Sequence, residues 1–238
     1  MNTPGKSSTP FLTTQWTQVL AARGHTEASA EALRDLCAAC YEPVLAFLRR
    51  ARGDEDAARD DAHAFFEWML SRDALAGLDR GRGRFRSYLL GALKHFLARR
   101  HEASVRSKRG GGVTHVALDE TGAFVPADER GLPPDREFDR QWAVHVLRRA
   151  LARLESEVVA AGNGGDFKEM VAFLTGESTH GAISALAEQR RIPEATLRSQ
   201  IHRLRRQFRQ CVKAEISPTV AESTEVDGEM RRLFEALT

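Results

Sequence analysis

The sequence predicts an all-α protein built from two small helical domains joined by an irregular linker. Hydrophobic residues make up 42% of the 238 residues, which is enough to form real cores. Phe, Leu, Ala, Arg and Glu dominate over β-branched residues, a balance that favours helix over strand. Apolar residues recur at steps of three and four in several segments, as on one face of a helix. This pattern disappears between residues 103 and 135, where glycines and prolines predict the linker.

These patterns divide the chain into five segments. An N-terminal extension over residues 1–28 precedes a first helical domain over 29–102. The linker over 103–135 leads to a second helical domain over 136–213, and a C-terminal extension over 214–238 ends in an amphipathic helix. The length suits two domains of roughly 80 to 100 residues each, with tails.

The first domain contains three helical stretches. The first begins near Ser29, a suitable N-cap, and Pro43 predicts either a bend in this helix or the start of another. The second carries Phe65 and Phe66 on its buried face, and its early acidic residues suit the helix dipole. The third starts at Phe85 and has the cleanest apolar stripe of the chain, so we expect Phe85 itself to lie in the core.

The second domain ends in a predicted helix-turn-helix. A helix carrying Trp142 is stopped by the glycine-rich turn at 162–165. Two helices then follow in close succession, at roughly 182–189 and 193–211, with the spacing of a helix-turn-helix. Arg191 occupies the turn position that normally has glycine, and a left-handed conformation there costs roughly 1 kcal/mol.

The second helix of this pair presents a polar and cationic face. Side chains of this kind suit contacts with base edges and phosphates. The candidates for DNA contact are Glu194, Thr196, Arg198, Ser199, His202, Arg203 and Arg206. The alternative interpretation is an ordinary helical hairpin with a solvated basic face.

Basic residues are concentrated in two stretches, although the net charge is only +2. One lies between residues 79 and 109 and the other between 193 and 213, and in both the basic residues far outnumber the acidic ones. Two separate basic stretches indicate two contacts with a polyanion such as DNA.

Two motifs resemble the extracytoplasmic-function (ECF) group of bacterial RNA polymerase sigma factors. Residues 182–206, with the run Thr196-Leu197-Arg198-Ser199, resemble the group's second DNA-reading segment, and Phe85-Arg86-Ser87-Tyr88-Leu89 resembles the start of its DNA-melting helix. The resemblance covers about residues 29–213. It is closest to a longer subgroup whose chains carry stretches similar to Phe11-Leu12-Thr13-Thr14-Gln15-Trp16 and Tyr41-Glu42-Pro43-Val44-Leu45-Ala46-Phe47-Leu48.

The resemblance implies a sigma factor that directs promoter recognition and DNA opening in transcription initiation. The first domain would be sigma region 2-like and would contact core RNA polymerase and the minus-ten promoter element. The second domain would be region 4-like and would read the minus-thirty-five element. The partners implied are core RNA polymerase and promoter DNA, and an anti-sigma factor is left open.

The resemblance also assigns the polymerase contact to the helix over residues 57–70. The candidate side chains there are Asp56, Asp60, Asp61, His63, Phe66 and Glu67. Relatives usually have Asp-Leu-Thr-Gln-Glu before the paired aromatics, whereas this chain has Asp60-Asp61-Ala62-His63-Ala64. The acidic character is kept, but the polar pair of the group is replaced by His63 and Ala64.

The minus-ten contact is implied for the loop over residues 73–84 and the helix that follows. Glycines in this loop let the backbone approach a base flipped out of the nontemplate strand. The candidate residues are Arg80, Arg82, Arg84, Arg86, Tyr88, Lys94, His95 and Arg99. Arg86, Lys94, His95, Arg99 and Arg100 are expected to leave the apolar face of the helix.

Other classes of protein find no support in the sequence. No Walker loop, nucleophile elbow or zinc-peptidase helix occurs, so we expect no enzyme activity, cofactor or metal. No apolar stretch of about 18 residues and no secretory signal is present, which predicts a cytoplasmic protein that does not enter a membrane. The cysteines are too few for a disulfide framework, and Cys37 and Cys40 fit a buried helical face better than a redox motif.

Two alternative functions remain open at this point. The first is a helix-turn-helix DNA-binding regulator that has lost polymerase binding, which the departure at His63 and Ala64 motivates. The second is a protein-interaction adaptor that does not bind DNA, in which both basic stretches are solvated surfaces.

Overall fold

The computed structural model of the chain describes residues 27–70, 84–107, 132–175, 181–220 and 222–238. These ranges are helical and contain no β-strand, which confirms the predicted all-α class. None of the described helices is long and apolar enough to cross a membrane. The helices are α1, Glu27–Arg52; α2, Glu55–Leu70; α3, Phe85–Ser107; α4, Pro134–Ala160; α5, Gly164–Met170; α6, Ala172–Thr175; α7, Ala182–Arg190; α8, Glu194–Ile216; and α9, Val226–Glu235, with 3-10 turns at Ser217–Thr219 and Ser223–Glu225.

Helix α1 continues through Pro43, so the structure contains one helix where the sequence left a second one open. Val44, Phe47 and Leu48, which follow the proline, are fully buried. A proline inside a helix costs about 3 kcal/mol. Burying each large apolar side chain contributes about 1.5–3 kcal/mol, so the packing of this one turn outweighs the cost of the proline.

The start of α2 is fixed by an N-cap. The Asp54 carboxylate accepts a hydrogen bond from the Ala57 N–H at 2.7 Å, and Glu55 and Asp56 lie in the first turn. Both features place negative charge at the positive end of the helix, as the sequence predicts. The cap sets where α2 begins.

Both predicted domains contribute to one continuous apolar core. Helix α1 packs on α2 and α4, and α4 also packs on α8. Near the middle, the Trp142 ring of α4 lies 6.1 Å from the Phe85 ring of α3 and 6.3 Å from the Phe138 ring, measured between centroids. The division into two domains stays a prediction. Separating the predicted domains, residues 29–102 and 136–213, would expose this shared core.

The predicted linker is helical at both ends. Helix α3 continues through Ser107 because residues 103–107 contain neither glycine nor proline. Helix α4 begins at Pro134, in the first turn, where the missing N–H would have no helical partner in any case. The remainder of the linker and the N-terminal motif over residues 11–16 lie outside the described residues.

Two cysteines are buried in this core. Cys40 and Cys211 are at most 3% exposed, and Cys40 packs on the buried face of α1 as predicted. Burial and the neighbouring Glu157 carboxylate raise the pKa of Cys211 to about 11. Such a thiol stays protonated at neutral pH and is a poor nucleophile. The side chain of Cys37 lies outside the described residues.

The turn between α7 and α8 has the left-handed residue that the sequence predicts. Arg191 has φ 54° and ψ 42°. The Ile192 N–H donates to the Ala187 carbonyl and the Arg191 N–H donates to the Glu188 carbonyl, both at 3.0 Å. This pair of bonds typically ends a helix at a left-handed residue. Pro193 then continues in an extended conformation and leads into α8.

We expect Arg191→Gly to raise the free energy of unfolding by about 0.5–1 kcal/mol. A left-handed conformation costs a residue with a Cβ atom roughly 1–2 kcal/mol, and the greater entropy of glycine in the unfolded chain cancels part of this gain. Arg191→Ala is the matched control, since it removes the same charge and keeps the Cβ. Urea unfolding measures both, and equal stabilities of the two variants would show that the turn is unstrained.

Candidate nucleic-acid interface

Helix α8 turns one side to the core and the other to solvent. Leu197, Ile201 and Leu204 are buried against the rest of the domain, and they fix the rotation of the helix about its axis. The residues predicted to face outward are accordingly exposed, except that Glu194 is half-buried. The exposed candidates are Thr196, Arg198, Ser199, His202, Arg203 and Arg206.

Glu194 orients its neighbours. Its carboxylate accepts a hydrogen bond from the Ser184 hydroxyl of α7 at 2.8 Å and one from the Arg198 Nε, also at 2.8 Å. The Arg198 guanidinium and the Ser184 hydroxyl hold the pKa of Glu194 below its usual value. Glu194 therefore ties the two helices together and holds Arg198, which is 65% exposed, on the outer face of α8.

The other arginines of α8 divide into anchored and available ones. The Arg205 guanidinium donates to the Phe173 carbonyl at 3.2 and 3.0 Å and so joins α8 to α6. Arg203 and Arg206 are exposed and make no hydrogen bond or ion pair with another described residue. Together with Arg198, they form an outward cationic face that can accept phosphates.

Arg86 on α3 is buried, so the prediction that it leaves the apolar face is wrong. It is 8% exposed, and its guanidinium bonds to the Glu229 carboxylate at 3.0 Å and to the Asp139 carboxylate. Burial alone lowers the pKa of Arg86, but the two carboxylates outweigh this effect and raise the pKa above its usual value. The physical reason for the burial is that α4 and α9 cover this side of α3 with acidic partners.

Two further cations of the predicted minus-ten set are also paired. Arg84 Nε lies 3.0 Å from Glu229 Oε2, but the atoms are misaligned for a hydrogen bond, so the contact is electrostatic. The Lys94 ammonium forms an ion pair with the Asp135 carboxylate at the start of α4. These residues, like Arg86, face acidic side chains of the same chain.

The rest of the minus-ten set has mixed environments. Phe85 is fully buried, as predicted, and Tyr88 is half-buried with its ring centroid 6.3 Å from that of Phe85. His95 and Arg99 are exposed, as predicted. Arg80 and Arg82 lie outside the described residues.

Four of the polymerase candidates form one exposed row on α2. Asp56, Asp60, His63 and Glu67 are separated by four, three and four residues, so they follow one face of the helix, and all are exposed. The row presents three carboxylates and one imidazole to solvent.

Asp61 and Phe66 do not belong to this row: Phe66 lies on the buried face of α2, as predicted, and Asp61 is buried as well, so neither is placed for the predicted polymerase contact. Asp61 is 2% exposed and forms ion pairs with Arg52 and Arg100, the latter at 3.0 Å. Phe66 is buried and stacks on the Tyr41 ring, with centroids 6.0 Å apart. Both residues lie on the inner side of α2 and stabilise the first helices against each other.

The acidic partners Asp135, Asp139 and Glu229 were not predicted. For Glu229 a signal was present, because it lies three residues after Val226 and four before Leu233 and so falls on the apolar face of α9. A carboxylate at such a position requires a buried cation as its partner. The two aspartates carry no comparable signal in the sequence.

Comparison of the chain with protein-family profiles, curated proteins and solved structures finds no match. Across the described ranges, no group of three His, Cys, Asp or Glu side chains is placed to hold a metal ion. The functional interpretation therefore depends on the residues and on their geometry.

Proposed function

We propose that the chain is an ECF-type sigma factor, which binds core RNA polymerase and directs promoter recognition and DNA opening. The observation that carries the proposal is the helix-turn-helix of α7 and α8, with its left-handed turn at Arg191 and its exposed cationic face. Together with the motifs at residues 85–89 and 182–206, it supports two contacts with promoter DNA.

Helix α8 would read the minus-thirty-five element in the major groove, which is about 12 Å wide and admits an α-helix. Arg198 is held by the half-buried Glu194, and the ion pair itself faces solvent. An exposed ion pair of this kind contributes about 0–1 kcal/mol, whereas a bidentate contact between arginine and guanine contributes about 1–3 kcal/mol. It is therefore favourable for the Arg198 guanidinium to leave Glu194 and to bind a base.

Helix α3 would contact the minus-ten element. His95 and Arg99 are exposed on it, and Tyr88 is partly accessible for stacking on a base. DNA opening would be driven by capture of unstacked bases and not by nucleotide hydrolysis. The pocket that the resemblance implies for a flipped base falls on residues 73–83, which lie outside the described residues.

The acidic row of α2 supports docking on a basic surface of core polymerase. Asp56, Asp60 and Glu67 keep three carboxylates in line although His63 and Ala64 replace the usual polar pair. A DNA-binding regulator that has lost polymerase binding would share the helix-turn-helix but would not co-purify with core polymerase. Co-purification therefore separates these two functions.

In vitro transcription from a pool of random promoters, with core polymerase and with or without this protein, tests the proposal directly. We expect sequence-specific start sites that appear only when the protein is added. A folded protein that yields no new transcripts with a competent core would contradict the sigma-factor function. A salt-sensitive affinity for DNA would then favour the regulator, and its absence would favour the adaptor.

We expect Arg198→Ala to weaken binding to the selected minus-thirty-five sequence by about tenfold, because one base or phosphate contact of about 1.4 kcal/mol is lost. Arg153→Ala is the matched control, since Arg153 is also an exposed arginine paired with a glutamate four residues away, Glu157, but lies on α4. Fluorescence anisotropy with a duplex of the selected sequence measures both variants. Equal affinities of the Arg198→Ala and Arg153→Ala variants would show that Arg198 does not contact the DNA.

A further inference from the structure

Three of the cations that the sequence assigns to the minus-ten contact, Arg84, Arg86 and Lys94, already face acidic residues of the chain itself. Glu229 of α9 lies between Arg84 and Arg86, with 3.0 Å to each, and is 1% exposed. The Asp139 carboxylate of α4 also forms an ion pair with the Arg86 guanidinium, through a different nitrogen from the one that contacts Glu229. Just over two turns further along α3, Lys94 pairs with Asp135.

These carboxylates use the same chemistry as a DNA phosphate. Arginine binds both groups through charge-assisted hydrogen bonds from its planar guanidinium. Arg86 donates to Glu229 and Asp139 and is only 8% exposed, so its guanidinium is closed to a phosphate in this packing. The carboxylates that pair with α3 and the phosphates of DNA therefore compete for the same guanidinium nitrogens.

We propose that α9 is an autoinhibitory element, in which Glu229 occupies Arg84 and Arg86 until single-stranded promoter DNA displaces it. This inference depends on the proposed function, because it is the minus-ten contact that α9 blocks. The exposed row of α2 and the outward face of α8 remain accessible in the same state. The protein would thus bind polymerase and the minus-thirty-five element before α3 is released.

Helix α9 is attached to the core through few large apolar side chains. The helix has ten residues and is held through the buried side chains of Met230 and Leu233, while Phe234 remains 51% exposed. The ion pair between Lys213 and Asp227 is at the surface and adds little. A buried ion pair adds little net stability, because the cost of removing both charges from water nearly cancels their attraction.

The test compares two full-length variants with the same charge change on the same helix. Glu229→Gln removes the buried carboxylate that faces Arg84 and Arg86, whereas Glu235→Gln removes an exposed one. The probe is a fluorescent single-stranded oligonucleotide that carries the nontemplate minus-ten sequence selected in the transcription experiment. We expect Glu229→Gln to bind roughly tenfold more tightly than the wild type and Glu235→Gln to remain within about twofold.

A measurement on the wild type keeps the proposal testable if Glu229→Gln does not fold. Hydrogen–deuterium exchange with and without the oligonucleotide reports on the α9 amides. We expect DNA to speed exchange in Val226–Glu235, and unchanged or slower exchange at saturating DNA would overturn the proposal.

The outcomes also separate this inference from the function on which it depends. If the wild type binds the oligonucleotide and both glutamine variants bind it equally, autoinhibition is refuted and the sigma-factor proposal stands. If the transcription experiment yields no start sites, there is no selected sequence to probe and the proposed function itself fails. If it yields start sites but neither the wild type nor a variant binds the selected oligonucleotide, the autoinhibition proposal fails alone.

Discussion

Trp142→Ala is expected to lower the free energy of unfolding by about 3–5 kcal/mol, the usual cost of removing a large buried aromatic side chain. Trp142 is 1% exposed and contacts rings of both α3 and α4. The cavity would therefore open where the two predicted domains meet. Urea or thermal unfolding followed by circular dichroism measures the change.

Trp142→Phe is the control for this substitution. It keeps a ring between Phe85 and Phe138 and loses an indole N–H that has no hydrogen-bond partner among the described residues. We expect Trp142→Phe to lower the free energy of unfolding by less than half as much as Trp142→Ala. A loss below about 1 kcal/mol for Trp142→Ala would show that the contact between α3 and α4 does not persist in solution.

Arg86→Ala is expected to lower the free energy of unfolding by a comparable amount, about 3–5 kcal/mol, because it leaves the buried Glu229 carboxylate without its main partner. Asp139 would lose its partner at the same time. Arg99→Ala removes the same charge from an exposed site on the same helix, and we expect it to change stability by less than about 0.5 kcal/mol.

Coupling between Arg86 and Glu229 can be measured with a double-mutant cycle. The variant with both Arg86→Ala and Glu229→Gln should be more stable than the sum of the single losses predicts, since the second change removes the charge that the first leaves unpaired. Additive losses would show that the two side chains do not interact.

The helices and the recognition face follow from local patterns in the sequence. Leu197, Ile201 and Leu204 specify which side of α8 is buried, and therefore which side faces solvent. Arg191 was identified as left-handed from its position in a helix-turn-helix, and the structure confirms it. Features of this kind depend on residues a few positions apart.

The environment of α3 could not be predicted in the same way. Arg86 adjoins Phe85 at the edge of the apolar stripe, and its partners Asp139 and Glu229 are 53 and 143 residues away in sequence. The periodicity of apolar residues describes one helix at a time. It does not reveal which other helix will pack over the edge of the apolar stripe. Asp61 is similar, because its partner Arg100 comes from another helix.

The shared core around Trp142 has a consequence for the reach of the molecule. Minus-ten and minus-thirty-five elements are centred about 25 base pairs apart, or roughly 85 Å at about 3.4 Å per base pair. A compact chain of this length has a radius of gyration of about 18 Å, so α3 and α8 of one packed molecule span far less than this distance. As a sigma factor, the packed chain would therefore engage one element at a time, and simultaneous contact with both elements on straight DNA would require α3 to part from α4 at the contact between Phe85 and Trp142.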